Sequence, residues 1–219
     1  MLGRMKQIWI ARAGGPEVLE IRETEDATPG PGEVLVQVRA TGVNFADIMA
    51  RAGKYRDAPP LPCVVGYEVS GDVVAVGSQA PESGADTPAA AAGAAGQRAG
   101  TVPAGAGEPS FVPGDRVFGL TRFGGYSSVV AVPARQLYHM PDDMSYSQAA
   151  AMPVNYFTAY LAIRIFGNVQ PEERVLIHNA GGGVGVAAIQ LARREGARIY
   201  GTASAWKHER LREIGAHEL

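Results

Sequence analysis

The spacing of apolar positions changes along the chain, from alternation at the start to a helical period near the end. Residues 7–11 read as a strand, Gly14-Gly15-Pro16 as its turn and residues 18–22 as the returning strand. Pro29-Gly30-Pro31-Gly32 then feeds residues 33–40, where Val34, Val36 and Val38 share one face and Gln37 and Arg39 the other. An apolar stretch over residues 64–77, bent at Gly66, Gly71 and Gly77, extends this mainly β region. Strand character returns after the turn at Val112-Pro113-Gly114-Asp115 and continues through residues 124–133. The period then lengthens. Ser145 with Gln148 matches a capping box, Ala149-Ala150-Ala151 favours helix until Pro153 interrupts it, and residues 156–166 resume the helix with Gly167 as its stop. From Arg174 onward the order is strand, helix, strand, helix. Residues 175–178 form the first strand, and residues 184–195 the helix, with Val184, Ala188, Leu191 and Ala192 on one stripe. Residues 198–202 are the next strand, and 205–214 a helix that Ser204 is placed to cap. Such alternation predicts a parallel sheet.

Residues 78–110 break the pattern. Eleven Ala, six Gly and four Pro fill 21 of these 33 positions, and Val102 is the lone large aliphatic. The segment cannot bury enough apolar surface to offset its ordering entropy, so it is expected to be a disordered surface insertion. A host fold tolerates this, because lengthening a loop costs only ~0.6 kcal/mol per doubling.

Composition narrows the function classes. The 219 residues carry a net charge of −2 and no basic stripe, which argues against a nucleic-acid partner. A single cysteine, Cys63, excludes an intrachain disulfide and any zinc site built on two cysteines, and reads most simply as a core residue. His178 reads as structural, and His139, His208 and His217 show no metal-ligand spacing. No apolar run approaches the ~20 residues of a membrane span, so the expectation is a soluble, cytoplasmic protein.

The candidate chemistry lies in Ala180-Gly181-Gly182-Gly183-Val184-Gly185, a turn that follows a strand and opens a helix. Ala180 stands where a dinucleotide fingerprint has its first Gly, while Gly182 and Gly185 occupy the second and third positions. Gly182 lets the backbone approach a pyrophosphate, Gly185 lets the helix pack close to the strand, and the anion meets the positive helix end. Where an NAD site carries an acidic residue, the chain has Thr202-Ala203-Ser204 with Lys207 one turn later. A hydroxyl and an ammonium suit a 2′-phosphate, which favours NADP(H). The alternative is that Ser204 only caps the helix and Lys207 lies on a solvated face.

Five runs carry a resemblance: GGPEVL from Gly14, GVNFADIMARAGKY from Gly42, PVNYFTAY from Pro153, AGGGVG from Ala180 and GTASAWKHE from Gly201. The chain resembles the zinc-independent quinone oxidoreductase branch of the medium-chain dehydrogenase/reductases, most of all the synaptic vesicle amine transport group, over residues 5–77 and 111–219. The resemblance implies an α/β architecture with a GroES-like catalytic domain over residues 1–141. A Rossmann domain follows from 142–219, only begun at Leu219, with NADPH in the cleft between the two. Zinc-dependent relatives place a catalytic Cys where Asn44 stands and a His where Tyr67 stands, ahead of Glu68, so the resemblance implies catalysis without zinc. It assigns Asn44 and Tyr55 as donors to the substrate carbonyl and places Asn44 and Thr158 beside the cofactor, whose phosphates would meet Gly182, Gly183, Val184, Gly185, Ser204 and Lys207. Met49 stands where some members carry a second Tyr. The alternative, purely structural roles are a turn residue for Asn44, a half-buried aromatic for Tyr55 and a helix-interior residue for Thr158. The implied function is hydride transfer from NADPH to a quinone or α,β-unsaturated carbonyl in a protein that is a homodimer at full length. A non-catalytic NADP-binding module, an inactive fragment and a zinc-type alcohol dehydrogenase are the alternatives. Two Rossmann strands in 219 residues are too few for a complete doubly wound sheet, and a C-terminal truncation is expected.

Overall fold

The computed structural model describes residues 3–78 and 110–219. The expected insertion, apart from its two ends, lies outside the described residues. The chain divides into two compact units, Met1–Ala150 and Ala151–Leu219.

In the first unit, β1 (Arg4–Ile10) and β2 (Leu19–Glu25) form an antiparallel hairpin with Ile8 opposite Ile21. Five further strands make one antiparallel sheet: β3 (Glu33–Thr41), β4 (Glu68–Val76), β5 (Arg116–Leu120), β6 (Val129–Pro133) and β7 (Leu137–His139), in the order β6-β3-β4-β5-β7. The alternation read along β3 holds for Val34 and Val36, both fully buried. Register shifts between Leu35 and Val36 and between Val38 and Ala40 then reset it, leaving Val38 half-buried. Val34, Val36, Val73, Phe111, Val117, Val132 and Leu137 form the core of this sheet, each buried side chain stabilising the fold by about 1.5–3 kcal/mol. A second cluster of Ile10, Val18, Ala50, Cys63 and Val65 joins the hairpin to α1 (Phe45–Arg51). Cys63, 6 % exposed, is a core residue.

The capping box at Ser145 forms as expected: its N–H donates to Gln148 Oε1 at 3.0 Å, and Gln148 N–H returns to Ser145 Oγ at 3.3 Å. It opens α2 (Tyr146–Ala150), which is bound to the sheet. Ser70 Oγ donates to the Tyr146 carbonyl at 2.7 Å, the Tyr146 hydroxyl bonds Asp72, and the Arg116 guanidinium lies 4.9 Å from the Tyr146 ring centroid. These bonds carry the first unit to Ala150, beyond the sequence boundary at 141/142.

The second unit opens with α3 (Pro153–Tyr160), Pro153 taking the first helical position where its missing N–H costs nothing. The helix continues through Leu161–Phe166 in π geometry, the Gly167 N–H reaching the Ala162 carbonyl at 2.9 Å. Strands β8 (Arg174–Ile177) and β9 (Arg198–Gly201) pair in parallel, connected by α4 (Gly183–Arg194). The core is Ala159, Ile163, Ile177, Ala187, Ala188, Ile189, Ala192, Ile199 and Leu211. Small residues let α3 and α4 approach closely. Two expectations need correction. Val184 is exposed and Ile189 carries the buried face of α4 instead. Ser204 does not cap a helix with its side chain: residues Ala205–Lys207 form a 3₁₀ turn closed by Lys207 N–H on the Ser204 carbonyl at 2.9 Å, and α5 (His208–Ile214) starts only after it. Among the described residues no helix is long and apolar enough to cross a membrane.

Candidate functional site

In the first unit Asn44 stands at the start of α1, and Tyr55 follows four residues beyond its end. Asn44 is extended (φ −109°, ψ 157°), and its N–H donates to Asp47 Oδ2 at 2.8 Å, so it does serve as the turn residue before the helix. Its side chain does more: Nδ2 donates to Glu68 Oε1 at 2.9 Å. Glu68 is 1 % exposed, and a Cβ on Gly42 would overlap its carboxylate. Asp47, 4 % exposed, also accepts the Gly66 N–H at 3.0 Å and the Tyr126 hydroxyl. Burial pushes the Asp47 carboxyl above its usual range, more than these bonds lower it. Burial and then the Asp47 charge raise the Tyr126 phenol, which therefore stays protonated. Gly66 takes φ +105°, where a Cβ would meet Tyr126 at 2.7 Å, and its carbonyl accepts Thr121 Oγ1 at 2.7 Å. The peptide leading into Tyr67 is thus held from both sides.

Tyr67 packs edge-on against Tyr55 (6.2 Å between centroids, 89°) and tilted against Phe123 (5.3 Å, 57°). Tyr55 is half-buried, and so is Met49 on α1. Asp47 and Tyr126 were missed in the sequence. The spacing Asn44-x-x-Asp47 repeats the logic of the Ser145/Gln148 box, and the same test applied there finds it. Cys63 exchanges backbone bonds with Ile10, and burial raises its thiol.

In the second unit the Gly-rich turn sits between the end of β8 and α4. A Cβ on Gly182 would come within 2.8 Å of the Asn179 amide, and one on Gly185 within 2.5 Å of the Asn179 carbonyl and 2.7 Å of Ala180 Cα. The turn is therefore a backbone surface with no room for side chains. Val186 N–H makes the first helical bond, to the Gly182 carbonyl at 2.9 Å, so the donors of residues 183–185 form the open helix end. Lys207 stretches across the turn, its ammonium 3.0 Å from the Gly181 carbonyl and its stem filling the place of a Gly181 side chain. Ser204 is exposed nearby in sequence, whereas Thr202 is engaged: its hydroxyl is 3.2 Å from His178 Nδ1 and 3.3 Å from the Asn179 N–H. Thr158 is exposed on α3. Asn155, one turn earlier, is the α3 residue whose amide abuts Gly183, and Tyr156 donates to Gln190 of α4 at 2.5 Å. Among the described residues, no group of three or more His, Cys, Asp or Glu side chains could hold a metal ion.

The folds define the class: a GroES-like, mainly β unit followed by the opening of a Rossmann unit. Residues 30–142 match the alcohol dehydrogenase GroES-like domain. The chain belongs to that family and groups with the quinone oxidoreductases and VAT-1 homologues among the medium-chain dehydrogenase/reductases. The synaptic vesicle membrane protein VAT-1 homolog of Rattus norvegicus is 43 % identical over 198 residues, 90 % of this chain and 42 % of that protein. The human VAT-1 homolog-like crystal structure superposes with a TM-score of 0.81 at 32 % identity, covering 99 % of this chain and 61 % of that one. Escherichia coli quinone oxidoreductase complexed with NADPH gives 0.79 at 32 % identity, covering 97 % and 57 %. The chain thus spans less than two thirds of each of these relatives.

Proposed function

We propose that the chain is part of an NADPH-dependent oxidoreductase that reduces a quinone or an α,β-unsaturated carbonyl without zinc. The observation that carries this is the Gly-rich turn itself: backbone packed so closely at Gly182 and Gly185 that neither can carry a Cβ, at the open end of α4, with the Lys207 ammonium beside it. Backbone donors of residues 183–185 suit a pyrophosphate, and Lys207 with Ser204 suits a 2′-phosphate. The NADPH complex of the E. coli relative supports the same assignment. By family resemblance Asn44 and Thr158 would face the cofactor's nicotinamide end. Bound NADPH supplies the hydride. When a carbonyl takes up hydride at a conjugated carbon, negative charge grows on its oxygen, and Asn44 and Tyr55 are the neutral donors that would stabilise it. The Asn44 amide is already oriented by Glu68, so it needs little reorganisation to donate. Neither Asn44 nor Tyr67 offers the thiolate or imidazole that zinc relatives use at these positions.

Mixing the chain with NADPH and 9,10-phenanthrenequinone should lower the absorbance at 340 nm, at a rate that EDTA leaves unchanged. Loss of the rate with EDTA would make it a zinc-type enzyme. Tight NADPH binding by calorimetry without turnover would make it a nucleotide-binding module.

A further inference from the structure

Trp206 is 80 % exposed, the most exposed large apolar side chain among the described residues, and belongs to none of the buried clusters. Packing does not account for it. Its ring meets the Lys207 ammonium instead, which lies 5.0 Å from the ring centroid. The turn that sets the two side by side is tied down at both ends. Lys207 N–H closes it on the Ser204 carbonyl at 2.9 Å, and His208 Nε2 lies 3.0 Å from the Ala203 carbonyl.

Lys207 is the group with most to gain from such a contact. A lysine side chain has four flexible methylenes, and ordering them against an anion costs part of the binding free energy. Here that ordering is already done. The stem crosses Gly181, where a Cβ would lie 2.4 Å from Lys207 Cδ, and the ammonium donates to the Gly181 carbonyl at 3.0 Å. One of the three ammonium donors is thus used, and the Trp206 ring meets the charge as well. No carboxylate among the described residues pairs with Lys207. The charge is held beside the Gly-rich turn without being neutralised.

We propose that Trp206 is a positioning residue: its ring holds the Lys207 ammonium ready for the 2′-phosphate of NADPH and so sets the preference for the phosphorylated nucleotide. The proposal rests on the NADPH reading above and adds to it the residue that makes Lys207 selective. Phe supplies the same kind of face more weakly, and Leu keeps an apolar side chain with no π system.

The test uses adenosine 2′,5′-bisphosphate and 5′-AMP, which differ only in the 2′-phosphate, each titrated against the chain by calorimetry. The unaltered chain should bind the bisphosphate more tightly. Trp206→Leu should reduce that preference about twofold to fivefold, as expected for one exposed cation–π contact, and leave 5′-AMP unchanged. Trp206→Phe should restore part of it. In a Lys207→Met background Trp206→Leu should have no further effect, because the ring acts through the ammonium. The proposal is overturned if Trp206→Leu keeps the full preference, if its effect persists without Lys207, or if it weakens both ligands equally, which would put the ring on the shared adenosine. An unaltered chain that binds both ligands alike overturns the 2′-phosphate assignment together with this proposal. A chain that shows the Trp206 effect but fails to oxidise NADPH refutes the reductase reading and leaves the Trp206 assignment standing.

Discussion

In the first unit the candidate groups are fixed by side chains that reach across the sequence: Asp47 alone holds the Asn44 N–H, the Gly66 N–H and the Tyr126 hydroxyl. In the second the candidate surface is backbone, kept clear by glycines, with Lys207 as its added charge. One region relies on buried polar contacts that lose much when any member is removed. The other relies on the absence of side chains and on a helix end. Carbonyl chemistry needs donors in fixed directions, whereas a phosphate accepts donors from many directions, and the two constructions suit those demands.

Removing the Asp47 carboxylate breaks the first construction at its centre. Asp47→Ala leaves the Gly66 and Asn44 amides without their acceptor and should cost about 3 kcal/mol, read as a lowered denaturation midpoint; a midpoint equal to that of the unaltered chain would show that these amides do not depend on Asp47. Lys207→Ala probes the second construction more gently. It should weaken NADPH about tenfold while leaving NADH unchanged, since one charge-assisted contact is worth roughly 1.5–3 kcal/mol before competing hydration is counted. Equal losses for both nucleotides would place Lys207 on the fold and not on the 2′-phosphate.

The smallest effect concerns pH. Partial burial of Asp72 would by itself raise its carboxyl, but the bonds from Tyr146 and Arg39 outweigh that and hold it below its usual range. A carboxyl with a lowered folded-state pKa adds stability above its unfolded pKa and loses it as pH falls through the folded value. Asp72→Asn should therefore be less stable than the unaltered chain at pH 7, by at most about 1 kcal/mol for so exposed a pair, and the gap should close in acid. Asp47, raised by burial, has the opposite sign: its ionisation is unfavourable to folding, and protonation in acid relieves it. A melting series from pH 7 down to the carboxyl range separates the two residues.

The second region was the more readable in the sequence. Gly182 and Gly185 are needed by local geometry, and Lys207 follows the strand at a fixed distance, so adjacent residues carry the signal. The first region was hidden because its contacts are distant: Asn44 and Glu68 are 24 residues apart, and nothing in the spacing pairs them. Helix α1 escaped the periodic reading because Phe45 and Ile48, two of its seven residues, are exposed apolar side chains that blur the stripe. Strand β7 has only three residues, too short for alternation to register. The Ser204 cap failed for a local reason, since a 3₁₀ turn satisfies its own first donor from the Ser204 carbonyl and leaves the hydroxyl no role there. The alanine face of α4 was legible, but Val184 lies one residue into the first turn, on the side that opens outward.

The Gly42–Glu68 contact makes the two positions an epistatic pair. Glu68 is buried and tied to Asn44, so it cannot swing away from a side chain introduced at position 42. A lineage that acquires a larger residue at 42 loses the orientation of the Asn44 amide until position 68 shortens, and shortening 68 alone releases that amide at once. Neither change is neutral by itself, which ties a glycine with no chemistry of its own to the evolution of the proposed carbonyl donor.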